Sequence, residues 1–119
     1  MNRKKITRDK LEQFLRKHKL WLDGDPEGER ANLSGANLSG ADLRWADLDY
    51  SCLPLWCGSL SAHFDDKQLA QIAYHLVKAG LNSKNASEET KLELEKLIDL
   101  ANNFHRVEEC GKIIKEQEN

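Results

Sequence analysis

The sequence predicts a mixed β-solenoid and α fold. A short coil of five-residue repeats at residues 31–60 follows an amphipathic helix and precedes a helical region. Three observations carry this expectation. Leucine recurs at 33, 38, 43, 48 and 53, with a small residue two places before each. A strict step of five fits neither the helical period of about 3.6 nor the strand period of about 2, and a short exact period means stacked identical turns. Before the repeats, Leu11, Phe14, Leu15, His18 and Leu22 recur at three- and four-residue spacing, which predicts a helix from about Thr7 to Leu22. Beyond them, two apolar stripes opened by acids predict helices near 65–79 and 87–107.

Length bounds this reading. At 119 residues the chain is expected to form one domain, with a basic helix and turn at 1–30, the coil at 31–60 and the helical region at 61–119. No apolar run reaches the roughly 20 residues of a membrane-spanning helix, so no membrane role is expected. The start Met1-Asn2-Arg3-Lys4-Lys5 is basic but leads into no apolar signal core, and three cysteines are an odd number. Both point to a reducing cytoplasm.

The five-residue units are Ala31-Asn32-Leu33-Ser34-Gly35, Ala36-Asn37-Leu38-Ser39-Gly40, Ala41-Asp42-Leu43-Arg44-Trp45, Ala46-Asp47-Leu48-Asp49-Tyr50 and Ser51-Cys52-Leu53-Pro54-Leu55. Their pattern resembles the pentapeptide-repeat family. The resemblance implies a right-handed quadrilateral coil in which leucine and the small residue point inward. Asn or Asp and the two variable residues then face out. A single turn leaves two open edges and buries almost nothing, so the N-terminal helix and two C-terminal helices are expected to cap it. Long members of the family imitate duplex DNA. One turn about 4.8 Å tall cannot imitate a duplex carrying a phosphate every ~1.7 Å.

The outward positions change along the repeat. Ser34-Gly35 and Ser39-Gly40 are bare, whereas Arg44-Trp45 and Asp49-Tyr50 present aromatics beside Asp42 and Asp47. Exposed aromatics next to charges have the composition of an interface centre. Asp42, Arg44, Trp45, Asp47, Asp49 and Tyr50 are therefore the candidate partner-binding residues, the other reading being that helices of the same chain cover them.

In the first helix Thr7 is the expected N-cap and His18 a core histidine rather than a ligand. Asp23-Gly24-Asp25-Pro26-Glu27-Gly28 is a turn by composition. In the second helix Asp65 and Gln68 form a capping box; Leu69, Ile72, Ala73, Leu76 and Val77 make the stripe and Gly80 ends it. The third starts near Asn85 or Ser87 and carries Leu94, Leu97, Ile98, Ala101 and Phe104, widened by Leu92, Leu100 and Val107, before Gly111 stops it. A stripe that broad exceeds what a surface helix needs. A homodimer through Leu97, Leu100, Phe104 and Val107 is expected, against the alternative of a groove within the chain.

No catalytic arrangement is visible. There is no Gly-x-Ser-x-Gly elbow, no phosphate-binding Gly-x-x-x-x-Gly-Lys loop and no His-Glu-x-x-His pair. Cys52, Cys57, His63, His105 and Cys110 are zinc-ligand types, but Cys52 and Cys57 have no second tight pair and read better as small core residues. No metal or cofactor is expected, and no enzyme activity. Residues 1–20 carry a net charge of +6 and the remainder −8. The basic helix offers a route to nucleic acid, but without interleaved aromatics this is not favoured.

The layout from Leu11 to Cys57 is similar to small pentapeptide-repeat proteins of bacteriophages and prophages. That similarity implies a non-enzymatic protein-binding module in the host cytoplasm, directed at a host defence protein such as a CRISPR nuclease or a nucleotide-signalling component. The alternatives are a small zinc- or nucleic-acid-binding accessory protein and a structural homo-oligomer without ligand.

Overall fold

The structure is a computed structural model that describes residues 5–53 and 61–115. The chain divides into two compact units, Met1–Asp65 and Asp66–Asn119, each with its own hydrophobic core.

The first unit opens with α1 (Arg8–Leu22). Thr7 caps it, its hydroxyl accepting from the Lys10 N–H at 3.2 Å, and Asp9 complements the helix dipole. The expected stripe is the inner face: Leu11 and His18 are buried, and Phe14 and Leu15 are partly buried against Leu33, Leu38 and Leu43. The following turn folds back on the helix, where Asp25 N–H donates to the Leu20 carbonyl and Glu29 N–H to that of Lys17. Gly28 lies so close to the backbone of Leu20 and Trp21 that a Cβ would overlap it.

Each repeat then makes the same tight turn. The N–H groups of Ala36, Ala41, Ala46 and Ser51 return to the carbonyls of Leu33, Leu38, Leu43 and Leu48 at 2.8–3.1 Å. The side chains of Asn32, Asn37 and Asp42 accept from the N–H two residues on at 3.0–3.1 Å, which is why Asn or Asp holds the second place. Leu33, Leu38, Leu43 and Leu48 are buried, as the period requires.

The β-solenoid expectation is overturned. Among the described residues there is no strand, only three isolated parallel bridges, Lys5 with Asn37, Asn32 with Cys52 and Asp42 with His63. The physical reason is length combined with turn density. A ladder needs consecutive residue pairs, but each repeat bends after its leucine, and the first repeat meets the fifth only at Asn32 and Cys52. Each contact is therefore one pair long. The segments at Lys5–Ile6 and Ala62–Phe64, together with α1, line this core.

The second unit is helical. α2 (Asp66–Asn82) packs against α3 (Glu88–Glu95) and α4 (Ile98–Ala101), and α5 (Val107–Cys110) follows. Ser87 caps α3 through the Thr90 N–H. Here two further expectations are corrected. The single helix at 87–107 is three short ones, because Lys96, Leu97, Asn103, Phe104 and Val107 all close tighter turns onto the carbonyl three residues back. The breaks turn Ile98, Ala101 and Phe104 toward Ala73, Tyr74 and Val77. The buried face of α2 is also different: Ala70, Ala73, Tyr74 and Val77 are inside with Gln68 and Gln71, whereas Leu69 and Leu76 are exposed. Two interleaved stripes exist on α2. The alanine-bearing one wins because small side chains let α4 approach while Tyr74 donates its hydroxyl to the Gly111 carbonyl at 2.7 Å. Gly80 does not end α2; it lies inside the helix against Leu94. Gly111, with φ +99°, does stop α5.

Candidate protein-interaction surface

The tight turns decide where the candidate residues stand. A turn with its positive φ at the third residue is the type II pattern, which favours glycine there. Gly35 and Gly40 fill that place with φ of +74° and +75°. In the next two turns the same place holds Trp45 at +70° and Tyr50 at +63°, the two non-glycine residues with positive φ among the described residues. Both rings lie largely outside the core, Trp45 82% and Tyr50 63% exposed. An L-residue in this region costs about 1–2 kcal/mol, and the Trp45 ring recovers little of that by burial.

Local contacts hold both corners. At the first, the Trp45 N–H donates to the Asp65 carboxylate at 2.7 Å. The Arg44 guanidinium grips Asp42 in a two-point pair, Nε to Oδ1 at 2.9 Å and Nη2 to Oδ2 at 3.0 Å. Those side-chain bonds, with the Arg44 backbone N–H, pull the Asp42 carboxyl down to about 2 and push the Arg44 guanidinium up. At the second corner, His18 acts from α1. Ala31 N–H donates to its Nδ1 at 3.0 Å, and its Nε2 lies 2.7 Å from the Asp49 carbonyl. A carbonyl can only accept, so the ring is the neutral Nε2–H form, binding the start of the repeats and the corner before Tyr50 to one helix. The same ring stacks on Trp21, which meets Tyr50 edge-on at 6.1 Å and carries the Arg30 guanidinium over its face at 5.9 Å. Lys19 is raised by its hydrogen bond to Asp23, with further attraction from Asp23 and Asp47.

The six candidate residues therefore fall on two successive turns of one unit. Sequence reasoning missed Trp21, Arg30 and Asp65 as their neighbours. Trp21 falls outside the α1 stripe, a signal that was present, whereas Asp65 is twenty residues from Trp45 and carried none. His18 is the core histidine expected, but its double hydrogen bond is not legible from spacing.

The other candidates distribute differently. Leu97 and Leu100 are 36% and 40% exposed, whereas Phe104 is buried against Tyr74 and Val107 packs partly on the same core. Phe104 therefore belongs to the unit's interior, whereas Val107 keeps part of its surface exposed. Among the described residues no three His, Cys, Asp or Glu side chains gather as a metal site. Cys52 and Cys110 are exposed thiols, so Cys52 is not a core residue, and Cys57 lies outside the described residues. His63 spends its backbone on the bridge to Asp42, and the ring of His105 packs edge-on against Phe104. No helix among the described residues is long and apolar enough to cross a membrane.

Residues 29–53 match the family described as "Pentapeptide repeats (8 copies)". No curated protein and no solved structure matches the chain. Such repeats are commonly protein-interaction modules and generally non-catalytic.

Proposed function

We propose that this pentapeptide-repeat chain is a non-enzymatic protein-binding module whose contact surface is the pair of turns bearing Trp45 and Tyr50. One observation carries the reading: two large aromatics occupy exposed left-handed positions that glycine fills in the two preceding repeats. Backbone strain of this kind clusters at functional sites, and Trp, Tyr and Arg are the residues that anchor protein interfaces. Similarity of layout to small phage proteins supports a partner among host defence components and a place in the host cytoplasm. The test is affinity capture from a bacterial host with the wild type and the Trp45→Gly variant side by side. A protein retained by the first and lost by the folded second supports the reading. Equal capture by both overturns it, and a captured protein unrelated to defence overturns the finer assignment alone.

Self-association is a second reading, favoured by the exposure of Leu92, Leu97 and Leu100 on the second unit. It involves other residues, so it does not compete for the Trp45 and Tyr50 turns.

A further inference from the structure

We infer that the Trp45 and Tyr50 turns take a basic, arginine-bearing segment of a protein partner. The inference rests on the reading that these turns bind protein, and adds the chemistry of what they bind. Three observations point to it. Between residues 23 and 65 the chain carries eight Asp or Glu, two Arg and no Lys, a net charge of −6 that is local to this segment, since residues 1–20 of the same unit carry +6. One of the two arginines, Arg44, is already held by Asp42 in a two-point pair, so it adds little free positive charge at the surface.

The second observation is the placement of carboxylates beside the rings. The Asp65 carboxylate is bonded to the Trp45 N–H at 2.7 Å, and Asp49 directly precedes Tyr50. A cation arriving over the Trp45 ring would meet the Asp65 carboxylate bonded to the backbone of the same residue. The third is a precedent within the same unit. The remaining arginine, Arg30, lies over the Trp21 face at 5.9 Å, and Trp21 touches Tyr50 edge-on. Guanidinium on an aromatic face is thus a contact this surface already makes, and Trp45 offers a ring that is 82% exposed. An indole is the strongest of the aromatic faces for a cation, and a planar guanidinium stacks on it where an ammonium cannot.

The experiment uses the full chain and three capped peptides of equal length, alternating glycine with arginine, lysine or glutamate. Binding is read by isothermal calorimetry and by amide and indole shifts in nitrogen–proton spectra. The arginine peptide is expected to bind, to shift the Trp45 indole, and to bind more tightly than the lysine version. Trp45→Gly keeps every charge, and is expected to weaken the arginine peptide about 2- to 30-fold, the range of a cation–aromatic contact. Equal binding to wild type and Trp45→Gly would reduce the effect to bulk charge and overturn the inference. Preference for the glutamate peptide would also overturn it. So would no response to any peptide while Trp45→Gly still loses its captured protein; in that event the binding reading survives and its partner chemistry does not. A concentration-dependent dimer abolished by Trp45→Gly would replace the partner with the basic α1 of a second copy.

Discussion

Trp45 and Gly40 do the same backbone work, with φ of +70° and +75°, yet only one of them is suited to it. Glycine has no Cβ to clash in the left-handed region, and every other L-residue does. Trp45→Gly is therefore expected to be more stable than Trp45→Ala by about 1 kcal/mol. Tyr50→Gly should gain less, because it also loses the edge contact with Trp21, worth about 0.5–1.5 kcal/mol. Urea titrations of the four proteins, read by tryptophan fluorescence, check this. An alanine variant at 45 as stable as the glycine variant would remove the strain argument. Asp42 yields a second prediction at this scale. Its carboxyl is lowered from 3.8 to about 2 by Arg44, so the ionised form is favoured by folding. The contribution is present above the unfolded value of 3.8 and fades as pH falls through about 2. Its size is small, since both partners are exposed. In a carboxyl-detected titration Asp42 should show its midpoint near 2, and in Arg44→Gln the midpoint should return toward 3.8.

Among the elements, the repeat segment depends on its leucines and on α1. Leu43 is fully buried, in contact with the face that Leu11 supplies. Leu43→Asp places an unpaired charge there, and the cost is several kcal/mol. All three tryptophans precede residue 66, so fluorescence reports on the first unit. The variant should show the emission of exposed tryptophan in buffer and no cooperative transition in urea; a wild-type transition would contradict the buried position. The α1 turn adds a smaller lesson. Gly28 is required by proximity rather than by φ, since a Cβ there meets the Trp21 and Leu20 backbone, which cannot rotate away. The helices of the second unit show the limit of stripe reading. α2 has two faces of similar apolarity, and pairing with α4 selected the one with Ala70, Ala73, Tyr74 and Val77.

At the scale of the whole molecule, each unit has its own core among the described residues, the leucine core of Met1–Asp65 and the aromatic core of Asp66–Asn119 around Tyr74 and Phe104. Leu97 and Leu100 stay half-exposed on the second while Phe104 is consumed inside it. If the exposed leucines pair two copies, Leu100→Glu should convert a dimer to a species of 13.6 kDa. Light scattering coupled to size exclusion at micromolar concentration reads the outcome, and a wild-type chain already at the single-chain mass refutes pairing.

What the sequence by itself determined is what a few neighbouring residues can settle. The tight turn of each repeat, the Asn or Asp at the second place and the Thr7 cap all rest on contacts within about five residues. The outward aromatics were legible for the same reason. Contacts between distant residues were decided by the tertiary structure alone. These include the His18 link to Ala31 and Asp49, the Asp65 carboxylate beneath Trp45, and the buried face of α2. The absence of strands among the described residues belongs here too. A leucine period predicts which residues point inward, but a strand exists only where a second stretch of backbone lies alongside for several residues. Among the described residues each such stretch meets its neighbour at one pair before the next turn carries it away.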